Sequence, residues 1–257
     1  MKRIDWGLFS GLLRRFQDLH FAGSRLRMLW SVLTPLLLVG VVAWVFLDFF
    51  NVRQRPVFSI LAGLIFWQWF SGTLSQGHRL FLDQRQFFKA LQTPRNYFIP
   101  AFVAFRALLA LPGVALIVLG AWSLFGPSVV RFACLDGVML TLLVVFWVWL
   151  LLGLSFLLST WTVFWPDLSH GLDSALSLLL WLSPVFYSGN QVPVDFRWML
   201  WANPLAWFLE GLRACLNLPH LLPVCIGVPL FGLFSGWMLL FGFFYFRKHQ
   251  KELLSLI

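Results

Sequence analysis

The side chains that could do chemistry are few and scattered in this chain. Its ten acidic residues form no carboxylate pair suited to acid–base catalysis. No G-x-x-x-x-G-K-[ST] phosphate loop, H-E-x-x-H metal motif or G-x-S-x-G nucleophile motif occurs. The five histidines occur singly, at His20, His78, His170, His220 and His249. The sequence therefore predicts no catalytic, cofactor or metal site of its own, and an integral-membrane enzyme acting on glycans or lipids is the weaker alternative.

Three of the charged residues within or beside apolar sequence are candidates for a specific role. A charge inside a bilayer is costly, so the position of Arg106 needs an explanation. Its side chain reaches the inner surface, or it forms an ion pair or contacts a phosphate-bearing substrate. Glu210 and Arg213 are three residues apart, which predicts a helical ion pair. We expect the three cysteines to be apolar fillers, with a Cys215–Cys225 disulfide as the less favoured alternative.

Aromatic residues are the other candidates for ligand contact, since the chain has 15 Trp and 29 Phe. Interfacial belts account for many of them, and others fall in the middle of apolar runs. Aromatic faces stack on sugar rings, although packing against lipid and neighbouring helices is the favoured explanation for any single residue. Our candidates for glycan contact along a pore are Trp44, Phe70, Trp181 and Tyr187.

The elements that must position these residues are membrane helices. The chain is 60% hydrophobic and only 11% charged, whereas a soluble domain is about 25% charged. Its apolar runs are continuous rather than alternating, which favours helices over a barrel. Basic residues cluster between the runs, so membrane topology and anionic lipid explain the net charge of +9 better than nucleic acid does.

We therefore predict an all-α polytopic protein with a single transmembrane domain over residues 1–257. An amphipathic helix at Trp6–His20, within residues 1–27, is expected to lie in the membrane interface; packing on a partner is the alternative. Six spans follow, at Met28–Phe50, Val57–Gly77, Phe98–Trp122, Phe132–Trp161, Leu172–Tyr187 and Leu222–Phe246.

Two longer connections carry distinctive sequence. Residues 78–96 contain a predicted helix at Asp83–Lys89, which presents an aromatic pair among polar and basic residues and is interpreted as a docking site, with the membrane interface as the alternative. The residues proposed for that site are Asp83, Gln84, Arg85, Phe87, Phe88 and Lys89.

The second connection, residues 188–221, has two apolar pieces broken by Pro193 and by Asn203-Pro204. Each piece is about half of what a bilayer crossing needs, which predicts a re-entrant helical hairpin between spans five and six. Thirteen Lys and Arg fall on one side of the predicted spans and five on the other. This asymmetry places both termini in the cytoplasm and the hairpin at the outer face.

The order of these motifs resembles the membrane subunits of ABC exporters for polysaccharides such as O-antigen, capsule and teichoic acid. The resemblance covers nearly the whole chain and is carried by several segments: Ser24-Arg25, Trp30 to Pro35, Phe70-Ser71-Gly72, Pro94-Arg95, Ser183 to Tyr187, and Asn203-Pro204-Leu205 with Arg213. Asp83-Gln84 and Leu91-Gln92-Thr93 depart from the family pattern, which bears on the identity of the partner.

The resemblance implies a homodimer in the bacterial inner membrane that moves lipid-linked polysaccharide outward. A separate ATPase subunit would bind ATP and Mg²⁺, and Asp83–Lys89 would be the coupling helix that contacts it. The outer hairpin would form a gate or the outer wall of the pore. An exporter of drugs or lipids with the same architecture is the alternative within transport.

Overall fold

The structure is a computed structural model that describes residues 6–23, 26, 29–50, 54–90, 97–125, 134–216 and 218–256. These residues are predominantly helical, and none of the described ranges contains a β-strand. The α-helices are α1 (Trp6–His20), α2 (Leu29–Ala43), α3 (Gln54–Gly77), α4 (Leu80–Asp83), α5 (Arg85–Ala90), α6 (Phe98–Phe125), α7 (Cys134–Phe164), α8 (Leu168–Leu182), α9 (Trp198–Ala202), α10 (Pro204–Cys215) and α11 (Val224–Leu256). A π-helical turn, Trp44–Phe49, extends α2, and two 3-10 turns, Gly189–Gln191 and Val194–Phe196, precede α9.

Five helices among the described residues are long and apolar enough to cross a membrane. They are Leu29–Phe49, Pro56–Gly77, Phe98–Gly120, Gly137–Phe164 and Val224–Leu253. These helices correspond to predicted spans one to four and six, and they make the chain a multi-pass membrane protein.

The helix at the fifth predicted span is shorter than a bilayer crossing needs. Helix α8 has 15 residues, which is about 22 Å of helix, whereas a bilayer core is about 30 Å thick. It ends at Leu182 because Pro184 forces Ser183 into extended backbone, with φ −94° and ψ 144°. The described part of the chain thus has five long helices and one short apolar helix, which occupies Leu168–Leu182 instead of the predicted Leu172–Tyr187, and the count of six spans stays a prediction.

The core lies between α3, α6, α7, α10 and α11. Helices α7 and α11 pack closely at Gly153 and Gly242, where a Cβ on either glycine would strike the backbone of the other helix. The Trp147 ring is buried beside this contact and stacks on Phe208, with ring centroids 4.0 Å apart. Much of the aromatic content of the chain is thus explained by packing between helices.

Helix α1 has the predicted bounds and packs on α6. Phe16 is buried, with its ring centroid 5.0 Å from that of Phe98 and 5.5 Å from that of Phe102. Trp6 and Leu19, on the same apolar arc, are exposed. The apolar arc is therefore divided between protein contact and an exposed strip, and its position in the membrane interface remains a prediction.

Candidate functional site

The described part of residues 78–96, which is the inner loop of the predicted topology, contains two short helices instead of the single predicted helix Asp83–Lys89. Helix α4 ends at Asp83 and α5 begins at Arg85, with Gln84 between them in non-helical backbone at φ −109° and ψ 23°. Asp83 forms an exposed ion pair with Arg79 at 3.7 Å. The ends of a helix leave backbone groups unsatisfied, so the break gives this loop more polar backbone than one continuous helix would have.

Phe87 is not the freely exposed ring that the sequence predicted. The Arg15 guanidinium of α1 lies 3.7 Å from the centroid of the Phe87 ring, and Arg15 Nη2 donates a hydrogen bond to Gln84 Oε1 at 2.8 Å. On its other side the Phe87 ring contacts Phe98 at 6.0 Å. Arg15 therefore fastens the inner loop to α1, and nothing in the sequence pattern singled it out. The side chains of Phe88 and Lys89 lie outside the described residues.

The same loop is also anchored to the last helix. Phe81 of α4 is buried and its ring is parallel to that of Phe246 in α11, with centroids 5.7 Å apart and an interplanar angle of 3°. It also contacts Phe98 at the start of α6. A displacement of the loop would therefore act on α1, α6 and α11 together.

At the other end of the bundle, the two proline motifs are in direct contact. Asn203 caps α10, since its Oδ1 accepts from the backbone N–H of Leu205 at 3.0 Å. Its Nδ2 donates to Ser183 Oγ at 2.9 Å. Pro204 takes the first position of α10, where its missing N–H costs nothing. Asn203 thus joins the end of α8 to the start of α10.

The predicted ion pair between Glu210 and Arg213 is present, and it is buried. The two side chains are 1% and 2% exposed, and Arg213 Nη1 lies 2.7 Å from Glu210 Oε1. Arg213 also donates from Nε to Ser59 Oγ of α3 at 2.7 Å and from Nη2 to the Pro184 carbonyl. Arg213 therefore holds α10, α3 and the segment after α8 together.

Glu210 supplies the second half of this network. Its carboxylate accepts from the backbone N–H of Gly189 at 3.1 Å and from that of Leu221 at 2.5 Å. Those residues begin and end the predicted hairpin of residues 188–221. A buried ion pair is stable only when such additional hydrogen bonds satisfy it. The pair therefore closes the hairpin at its base, a role that spacing alone did not indicate.

The hairpin differs from two equal apolar pieces. Pro193 precedes the 3-10 turn Val194–Phe196, and helix α9, which follows, has only five residues. Helix α10, after Asn203-Pro204, has twelve. Cys215 of α10 is buried and Cys225 is exposed, and the two thiols do not form a disulfide.

The aromatic candidates divide into exposed and buried rings. Trp44 is 64% exposed and Trp181 is 69% exposed. Tyr187 is half-buried, and its hydroxyl donates to the Trp181 carbonyl at 3.3 Å. Phe70 is a correction: it is 3% exposed and packs on Trp147 at 5.6 Å, so it does not face a surface that a glycan could reach in this conformation. The polar and apolar residues of α3 do not separate onto opposite sides of the helix, so its sequence could not indicate which side faces the core.

A polar groove beside Trp181 contains Asp173, which the sequence pattern did not single out. The groove, of about 520 Å³, lies between α3 and α8. It contains Ser71, Asp173 and Ser177, and Ser75 Oγ donates to Asp173 Oδ1 at 2.7 Å. An acidic residue in a predicted span was a detectable signal, because intramembrane carboxylates usually face a protein interior or a water-filled cavity.

Comparison with known proteins identifies a family and several relatives. The model of the family described as ABC-2 type transporter matches residues 8–217. An O-antigen export system permease protein RfbA of Klebsiella pneumoniae is 27% identical over 207 residues, which are 76% of this chain and 74% of the relative. A protein of the same name from Myxococcus xanthus is 27% identical over 217 residues, which are 81% of this chain and 79% of the relative.

Proposed function

Because this chain belongs to the ABC-2 type transporter family, we propose that it is the channel-forming subunit of an ATP-driven exporter of lipid-linked polysaccharide. The observation that carries the proposal is the similarity to relatives named as O-antigen export permeases over about three quarters of their length. We place the chain in the bacterial inner membrane with both termini in the cytoplasm. The distribution of Lys and Arg supports this orientation.

The functional unit in this proposal is a homodimer. Helix α2 is the least buried of the five long helices and exposes Leu29, Trp30, Leu37 and Trp44. Helix α8 exposes Trp181 beside the polar groove that contains Asp173. Lipid covers apolar side chains well but solvates a carboxylate poorly, so a second copy across this face with a polar path between the protomers satisfies both.

ATP and Mg²⁺ bind to a separate ATPase subunit in this proposal, and the inner loop receives its motion. Closure of two ATPase subunits pushes on α4 and α5, and the contacts of Arg15 and Phe81 carry the displacement to α1 and α11. Helices α2 and α8 of the two protomers then part. Exposed aromatic rings give the polymer repeated weak contacts, which suits conduction because tight binding would stop release.

The proposal is tested in the source bacterium by deleting the gene and measuring surface polysaccharide. We expect loss of surface glycan, accumulation of lipid-linked glycan inside the cell, and rescue by the wild-type gene. The purified chain alone should not hydrolyse ATP, and turnover should need the partner ATPase. Normal surface glycan in the deletion strain, together with loss of drug or phospholipid export, would contradict the choice of cargo.

A further inference from the structure

A cavity of about 340 Å³ lies where α1 ends and α2 begins against α3 and α6, and it shares Ser71 and Gly72 with the groove beside Trp181. Its polar lining includes His20, Ser31, Thr34, Gln68, Ser71 and Arg106. Trp30 forms part of the wall and is 44% exposed on the peripheral helix α2. A headgroup could therefore enter from the side of α2 without crossing the core.

Arg106 is the charged group of this cavity, and its hydrogen-bonding capacity is mostly unused by protein. A guanidinium has five N–H donors. Nη1 donates to Gln76 Oε1 at 3.4 Å, while the buried Nε has no hydrogen-bond partner among the described residues. Within the same part of the chain no carboxylate pairs with Arg106. The ion-pair explanation from the sequence is therefore not supported there.

Gly72 shows that the guanidinium is accommodated in this position. A Cβ at Gly72 would overlap Arg106 Nη2, so the absence of a side chain there leaves room for the cation. Arg106 lies eight residues after Phe98, about 12 Å along α6 from its predicted inner end. This depth is within reach of headgroup phosphates on the cytoplasmic side.

The surroundings of the cavity favour an anion. Partial desolvation lowers the pKa of His20, and the nearby Arg106 charge lowers that pKa further. A guanidinium binds phosphate or carboxylate through two parallel N–H···O bonds, and phosphate is the anion that membrane lipids present. Hydroxyl groups of Thr34 and Ser71 line the same space and can donate to the remaining oxygens.

We propose that this cavity binds the phosphate group of a membrane lipid, with Arg106 as its charged ligand. The lipid is either an acidic phospholipid or the diphosphate of a lipid carrier, which share this chemistry. Only the second source rests on the proposed export function. The binding experiment below does not measure export, so failure of one proposal is distinguishable from failure of the other.

The test is native mass spectrometry of the purified full-length chain in detergent, titrated with phosphatidylglycerol or with a synthetic isoprenoid diphosphate. Phosphatidylcholine serves as the zwitterionic comparison. We expect Arg106→Gln to weaken binding of the preferred probe about tenfold or more, since it removes a charged donor. Arg106→Lys should retain part of the binding. Arg14→Gln is the matched control, because Arg14 is an exposed arginine of α1 that does not line the cavity.

A second measurement keeps the wild-type arginine, so it remains decisive if Arg106→Gln does not fold. Thr34→Cys, in a chain whose native cysteines are replaced by alanine, places a thiol in the cavity wall on α2, away from the groove beside Trp181. The bound probe should slow its alkylation, whereas phosphatidylcholine should not. Protection by phosphatidylglycerol alone identifies bulk lipid, and preference for the diphosphate identifies the carrier. No protection by either probe, or equal binding by Arg106→Gln and Arg14→Gln, would overturn the proposal.

Discussion

A single ion pair connects the segments around residues 188–221. Arg213 and Glu210 contact α3, the segment after α8 and both ends of residues 188–221. Each side chain of the pair forms hydrogen bonds with buried polar groups that would otherwise have no hydrogen-bond partner. Removal of one member leaves an uncompensated charge in the interior, which costs more than the pair itself contributes.

We predict that Arg213→Met lowers the free energy of unfolding by about 3–5 kcal/mol, because Glu210 is left buried and unpaired. The double variant Glu210→Gln with Arg213→Met should lose less than the sum of the two single changes. Unfolding in mixed micelles measures both. Arg79→Met is the control: it removes an exposed ion pair with Asp83, and its effect should be under about 1 kcal/mol. Equal losses in Arg213→Met and Arg79→Met would contradict the role of the buried pair.

The inner loop is connected to its neighbours at several points. Arg15 of α1 contacts Gln84 and Phe87, and Phe81 stacks on α11. A helix that lies beside the loop and is bonded to it moves with the loop. In the proposed exporter, α1 and the inner loop are therefore one mechanical unit rather than two independent contacts with the ATPase.

We predict that Arg15→Gln lowers the amount of glycan exported per ATP hydrolysed severalfold, because it removes the cation–π contact and the charged hydrogen bond to Gln84. Co-purification with the ATPase should stay normal. Arg14→Gln, the exposed neighbour, serves as the control and should keep the wild-type ratio. The same ratio in Arg15→Gln would show that the connection to α1 carries no motion.

The double change Phe87→Ala with Phe88→Ala tests docking itself. It should weaken co-purification with the ATPase, while the protein remains inserted in the membrane. Loss of Phe87 also removes the contacts with Arg15 and Phe98. The proposed docking site therefore loses the contacts that position it as well as the aromatic ring itself. Unchanged complex formation and unchanged export would favour a ring that lies in the membrane interface.

The described part of the chain has a packed interior and two peripheral helices. Most buried aromatic rings lie on α3, α6, α7, α10 and α11, while α2 and α8 expose Trp30 and Trp181. In a membrane, this arrangement leaves α2 and α8 to contact lipid, a second copy or the cargo. Orientation and lining of the pathway are therefore properties to be tested on the assembled protein.

Orientation is tested with single cysteines at Gln86 and Asn190, in a background without the native cysteines. Both positions are exposed, so reagent access depends on the side of the membrane. We predict that in intact cells an impermeant reagent labels Asn190→Cys only, because the basic residues place Gln86 in the cytoplasm. Labelling of both positions from the same side would contradict this topology.

The pathway is tested by changing exposed tryptophans. We predict that Trp44→Leu with Trp181→Leu slows glycan export at a normal membrane level, because leucine keeps apolar surface but offers no flat face for a sugar ring. One stacking contact is worth about 0.5–1.5 kcal/mol by analogy with aromatic pairs. Trp237→Leu is the matched control, since Trp237 is also exposed but lies on α11. Phe70→Leu should instead lower stability, because its ring is buried. Normal export by the double variant would remove both tryptophans from the pathway.

The elements that depend on local chemistry could be predicted from the sequence. Continuous apolar runs predicted the five long helices because a span needs about twenty apolar residues. The helical periodicity of polar and apolar residues predicted the bounds of α1. Asn203-Pro204 predicted a turn, and Glu210 with Arg213 predicted an ion pair, because both signals act within one helical turn.

Contacts between residues of different helices could not be predicted and are known from the folded structure. The contact between Arg213 and Ser59 joins positions 154 residues apart, and Arg15 meets Gln84 across 69 residues. The polar residues of α3 do not gather on one side of the helix, so its sequence could not show that Phe70 is buried. Helix rotation is set by packing against neighbours, as at Gly153 and Gly242, and that packing is a property of the assembled chain.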